Sequence, residues 1–123
     1  LINCMDKTIK FITEKSLFYN KQNKKVAIWG CGAKTLSIIN ICSKKVLRVI
    51  SCVIDSDPHK HDKFVPNSSI PVISVNDAKK YKPDVIFIFA FSYKDEIELI
   101  IKKELPFCKT IFTIDNHGTF IRL

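Results

Sequence analysis

The chain has 123 residues, 46% of them hydrophobic, and a formal net charge of +8. That length suits one domain with its own core, and the apolar fraction excludes a disordered segment. No apolar run approaches the roughly 20 residues of a membrane span, residues 1–19 mix Lys, Asp and Glu among their apolar positions unlike a secretory signal, and no membrane partner is expected. The expected compartment is the cytoplasm.

Five cysteines form no C-x-x-C pair, and an odd number argues against a disulfide framework. They read mostly as small buried apolar residues. Of 20 basic residues 18 are Lys, with only Arg48 and Arg122 to supply the guanidinium on which specific nucleic-acid recognition usually leans. Nucleic acid is therefore not the expected partner. Residues 1–25 carry six Lys against Asp6 and Glu14, which reads as a solvated helix face followed by a linker.

In chain order, Ile9, Phe11, Ile12, Lys15, Ser16 and Tyr19 set an amphipathic helix over residues 4–19, broken by residues 20–23. We divide the chain into an N-terminal helix and linker, 1–23, and a main domain, 24–123. Residues 25–29 form a short buried strand that ends at Gly30. A helix follows over 33–42, closed by Ser43-Lys44-Lys45, and a second strand over 49–54. Residues 55–69 read as a long loop leading to the apolar segment 70–73. Residues 74–80 form a short helix capped near Ser74, and residues 85–90, the most apolar stretch, make a central strand. The helix over 93–104 has Asp95 and Glu96 in its first turn and Lys102 and Lys103 in its last, matching its dipole, and a last strand occupies 110–114. The alternation predicts an α/β fold: a three-layer, Rossmann-like, doubly wound parallel sheet in a single domain.

Gly30-Cys31-Gly32-Ala33-Lys34-Thr35 falls between a strand and a helix, where missing side chains let backbone N–H groups approach a phosphate. Thr35 stands where a dinucleotide fingerprint has its third glycine. A tight strand-to-helix turn that selects glycine for positive φ and holds no ligand fits the same residues. Asp55 ends the second strand, 25 residues after Gly30, as a ribose-binding acid or a loop cap. Ile28 occupies the position, two before the first glycine, where a common S-adenosylmethionine site carries an acid, so this domain is not expected to bind that cofactor alone. The stretch 55–62 gathers carboxylates and imidazoles but lacks a spaced second cluster, and no metal is expected. No Ser or Cys is paired with a base, so no catalytic residue is assigned. Phe91 and Tyr93 follow the central strand at its carboxyl end, placed to stack on a base or to pack on a neighbour.

Gly30-Cys31-Gly32-Ala33-Lys34, Asp55-Ser56-Asp57-Pro58-His59-Lys60, Val65-Pro66, Ile70-Pro71-Val72-Ile73-Ser74, Lys82-Pro83-Asp84 and Tyr93-Lys94-Asp95-Glu96-Ile97 occur in the order found in one family. From about Lys24 onward the chain resembles the C-terminal domain of sugar C-methyltransferases, which methylate a ring carbon of nucleotide-linked keto-deoxysugars. Thr35, Asp57, Asn67 and the pair Phe91-Ser92 depart from that pattern. In such enzymes a zinc-binding domain and an S-adenosylmethionine domain precede this one, and the middle domain holds the catalytic base. The resemblance implies a module that closes the nucleotide-sugar cleft, with the missing methyltransferase domain of the parent chain as partner. It places Gly30, Gly32, Lys34, Thr35, Asp55, Pro58, His59, Lys60, Phe91, Tyr93 and Glu96 around that cleft. A start at Leu1 fits an excised fragment, with a separately encoded relative as the alternative. Two rival readings are a free-standing nucleotide- or NAD-binding sensor module, and an interaction domain whose glycine turn is empty and whose basic first helix meets an acidic partner or nucleic acid.

Overall fold

The computed structural model describes residues 4–115 and 117–123; residues 1–3 of the expected N-terminal segment and residue 116 of the main domain lie outside them. Helix α1 spans Cys4–Lys21, β1 Val26–Trp29, α2 Ala33–Ile41, α3 Lys44–Leu47 and β2 Ile50–Ile54. A 3₁₀ turn at Pro58–Lys60 precedes β3, Lys63–Phe64, and β4, Pro71–Ile73. Then come α4 Val75–Tyr81, β5 Val85–Ile88, a 3₁₀ turn at Phe91–Tyr93, α5 Lys94–Glu104, β6 Thr110–Ile114 and β7 Phe120–Arg122.

The seven strands lie in the order β3-β4-β2-β1-β5-β6-β7. The five inner strands are parallel, whereas β3 pairs antiparallel with β4 and β7 with β6. The five inner strands form the parallel, doubly wound sheet expected from the sequence, and an antiparallel strand at each edge makes the whole sheet mixed. These edge strands correct the reading of 55–69 as one loop and of 110–114 as the last strand. Both edge strands are two or three residues long with no apolar alternation, so periodicity had nothing to register.

Alternation along the strands divides the core into two layers. Val26, Ile28, Val53, Val85, Phe87, Phe112 and Ile114 face α1, α2 and α3, which contribute Ile12, Tyr19, Ile38, Ile39 and Val46. Ala27, Trp29, Cys52, Ile54, Ile86, Ile88 and Ile111 face α4 and α5, which contribute Ala78, Ile97 and Ile101. The pairing of β1 with β2 slips between Val26 and Ala27, so that Val26 sits opposite Ile50 but Ala27 opposite Cys52. This bulge passes over Ser51 and keeps like-facing residues of the two strands together.

Helix α1 is a full member of the first layer. Its buried positions, Thr8, Ile12, Ser16 and Tyr19, recur at spacings of four and three. Phe11 stacks on Phe120 of β7 with centroids 3.8 Å apart and meets the edges of Phe112 and Phe87 at 5.4 and 6.3 Å. Lys7, Lys10 and Lys21 lie on its exposed side. Ser43, read from sequence as a helix stop, instead accepts from the Val46 N–H and caps the one-turn α3. Ser74 caps α4 as expected, through the Asp77 N–H at 3.0 Å.

Among the described residues no helix is long and apolar enough to cross a membrane. Cys42, Cys52 and Cys108 are buried, Cys31 is half-buried and Cys4 exposed, all as free thiols.

Candidate functional site

The chain leaves β1 toward β2 and later returns on the other side through β5, so the carboxyl ends of β1 and β5 part where the sheet's winding reverses. Open α/β sheets carry their ligand clefts at such a point. Here a cleft of ≈ 430 Å³ opens between the glycine turn after β1, the loop after β2 and the start of α5. A smaller recess of ≈ 220 Å³ adjoins it over the first turn of α2.

The glycine turn is tied down by backbone and side chain together. Gly30, at φ +101°, donates its N–H to the Ile54 carbonyl at 2.7 Å and so extends the β1–β2 pairing by one residue. Cys31 N–H donates to Asp55 Oδ2 at 2.7 Å, and the buried Thr35 donates its hydroxyl to the Gly30 carbonyl at 2.5 Å. Gly32 differs: its φ is −102°, which any residue adopts, and a Cβ there would meet nothing within 4 Å. Neither backbone conformation nor packing within the chain demands glycine at 32, which borders both the cleft and the recess.

The other wall is organised by Asp55, which is almost buried. Its second oxygen accepts from the Asp57 N–H at 2.8 Å, and the Asp57 carboxylate accepts from the His59 N–H at 3.0 Å, which caps the 3₁₀ turn behind Pro58. His61 Nε2 meets the Asp55 carbonyl at 2.5 Å, so that nitrogen carries the proton. Lys60 reaches back across the cleft, donating to the Cys31 carbonyl at 3.1 Å with its ammonium 3.9 Å from Asp55. Burial first, then the Asp55 carboxylate, pushes the Cys31 thiol up, with Lys60 opposing. Cys31 thus stays a thiol at neutral pH.

Of the eleven residues placed around a cleft from sequence, Gly30, Gly32, Asp55, Lys60, Tyr93 and Glu96 line the main one. Gly30 and Gly32 also line the recess, together with Lys34 and Thr35. Lys34 is near enough to Asp115 to help hold that carboxyl below its usual value, behind the larger effect of the Thr119 N–H. Thr35 serves the turn, its proton being given to Gly30. Pro58, His59 and Phe91 line neither space; Pro58 and His59 shape the turn that carries Lys60, and Phe91 lies under the Lys94 ammonium, 5.4 Å from its ring centroid. Trp29, Ala90 and Ile100 also line the cleft, and no sequence motif marks them for it. Trp29 and Ile100 read as core periodicity, and only the facing of β1 and α5 shows that they border a cleft. Among the described residues no group of three or more His, Cys, Asp or Glu is arranged to hold a metal ion.

A three-layer sheet with a glycine turn, a helix start and an aromatic side chain at its switch point defines a Rossmann-like domain. The profile of the C-methyltransferase C-terminal domain matches residues 4–107, and the chain belongs to that family. The match starts within α1, well before the point at which the sequence motifs begin. No curated protein matches the chain significantly. Among solved structures, the crystal structure of UDP-D-quinovosamine 4-dehydrogenase from Vibrio fischeri is similar, with a TM-score of 0.58 and 21% identity over 81% of this chain and 93% of that one. At that identity the likeness is one of fold.

Proposed function

We propose that this chain is the C-terminal module of an S-adenosylmethionine-dependent sugar C-methyltransferase of the cytoplasm. Its switch-point cleft receives the nucleotide-linked sugar, while the missing methyltransferase domain of the parent chain supplies the cofactor and the catalytic base. On this reading the module binds and positions and is not catalytic alone.

The observation that carries the reading is Gly32, a glycine that the chain's own backbone and packing do not need, set at the start of α2 beside the cleft. Removing the side chain there lets a diphosphate approach the N–H groups at the positive end of the helix. Lys60 lines the cleft and Lys34 the adjoining recess, so two cationic side chains border the spaces that Gly32 also lines. Tyr93, 61% exposed at the far side of the cleft, offers a ring face to a base or a sugar. The fold neighbour, which is named for a UDP-linked sugar, makes such compounds the first ligands to test.

An NAD-binding sensor module is the second reading, favoured by the place of Asp55 at the end of β2. In the free domain both Asp55 oxygens already accept backbone N–H groups, from Cys31 and Asp57, so a ribose would have to share them. Calorimetric titration with a nucleoside-diphosphate sugar separates the readings. Saturable binding is expected, weakened about tenfold by Lys60→Ala and by Lys34→Ala, the scale of one charge-assisted hydrogen bond. Binding of NAD but not of the sugar nucleotide would select the sensor module, and no heat with either ligand would leave the turn empty.

A further inference from the structure

The switch-point cleft occupies the carboxyl edge of the sheet. At the amino edge, where β2 starts at Ile50, a second concavity of ≈ 320 Å³ is bounded by α3 and by the loop that enters β4. The two lie at opposite ends of β2, about 16 Å apart for a five-residue strand. A ligand held at one does not reach the other.

The second concavity has one sign of charge. Lys44 at the start of α3 and Arg48 just past its end line it, four residues apart, and no Asp or Glu lines it. Among the described residues neither cation has an ion pair, although the chain pairs five other lysines. Like charges at this spacing on one helical turn repel unless an anion sits between them.

The facing wall is held in place before any ligand arrives. Val65 N–H donates to the Ile70 carbonyl at 2.8 Å, and the Ser68 hydroxyl donates to Val65 and accepts from the Ile70 N–H at 2.7 and 3.1 Å. Asn67, at φ +63°, ties the loop to α2 through Asn40 at 3.1 Å. The neighbouring Ser69 hydroxyl is left without a partner among the described residues and borders the concavity. The remaining floor is apolar, from Leu47 and Ile70.

We propose that this concavity is a second anion site, for a phosphate monoester that carries an apolar group. Two unpaired cations match a dianion, the guanidinium of Arg48 presents two N–H groups to phosphate oxygens, and the Leu47–Ile70 floor takes the substituent. Carboxylates carry half that charge and fill the site less well.

Amide chemical-shift titration of the 123-residue chain with phenyl phosphate, at constant ionic strength, tests this. Saturable shifts are expected at Leu47, Arg48, Ser69 and Ile70, with the amides of Gly30 and Cys31 unmoved. Phenyl phosphate should bind more tightly than either inorganic phosphate or benzoate. Arg48→Gln and Lys44→Gln, both at exposed positions where folding is easily checked by the unchanged remainder of the spectrum, should each weaken binding about tenfold. Absence of saturation at these amides, affinity unchanged in both variants, or benzoate binding as tightly as phenyl phosphate would each overturn the proposal.

Discussion

Gly30 and Gly32 sit two residues apart in one turn, yet the chain needs them for different reasons. Gly30 holds a positive φ that costs an L side chain about 1 kcal/mol or more, so Gly30→Ala should lower the urea midpoint by a corresponding amount. Gly32→Ala meets neither strain nor a clash and should leave stability within about 0.5 kcal/mol of the parent. Under the proposed function it should nonetheless weaken sugar-nucleotide binding, because it adds a methyl group at the border of the cleft. Equal loss of stability in both variants would show that the turn needs both glycines for its own fold.

The thiols give a second prediction at this scale. Burial pushes Cys42 and Cys108 up to about 11 and Cys52 up to about 12, against an ordinary 9.0. A folded value above the unfolded one means that the native state holds protons the unfolded state releases. The stability this contributes is full below pH 9.0 and is lost as pH rises through about 11 and 12. Denaturation midpoints should therefore fall on the alkaline side from about pH 9 upward, and replacing Cys52 by Ala should flatten that limb. Native alkylation at pH 8 followed by mass measurement should label the exposed Cys4 first and leave Cys42, Cys52 and Cys108 unmodified until unfolding.

Among the elements, α1 is the one whose role the sequence understated. Its Lys-rich side reads as a solvated helix face followed by a linker, while on the apolar side Ile12 is fully buried and Phe11 completes an aromatic group with Phe87, Phe112 and Phe120. Ile12→Ala should destabilise the whole domain by about 2–5 kcal/mol in equilibrium unfolding, the range for large-to-small changes in a packed core. A loss under about 1 kcal/mol would make α1 an attachment to a core that stands without it. The inner strands, the cap of α4 and the ends of α5 were legible because each carries a local signal: a β-branched run, a Ser three residues before an acid, an acidic first turn and a basic last turn. The edge strands β3 and β7 were not legible, since Lys63-Phe64 and Phe120-Ile121-Arg122 are specified by the neighbour they pair with. Likewise Ser43-Lys44-Lys45 reads equally as the end of one helix and the cap of the next, and only the turn to α3 decides.

In the molecule as a whole, the site was legible as a set of places and much less as a set of contacts. Doubly wound topology puts the ends of β1, β2 and β5 at one edge whatever the side chains are, so Gly30, Gly32, Asp55 and Tyr93 could be placed together from order alone. That Asp55 spends its carboxylate on the Cys31 and Asp57 N–H groups depends on how the ends of β1 and β2 lie against each other, which no single segment encodes. The same holds for Lys60, which crosses from the loop after β2 to the glycine turn and closes one side of the cleft. These ties join the turn and the β2 loop into one wall of the cleft.

Under the proposed function this wall holds a nucleotide-linked sugar, and amide chemical-shift mapping with a nucleoside-diphosphate sugar is the decisive measurement. Saturable shifts are expected at Gly30, Cys31, Gly32 and Tyr93, reduced by Lys60→Ala; a glycine turn whose amides stay unmoved at saturating ligand would rule that function out.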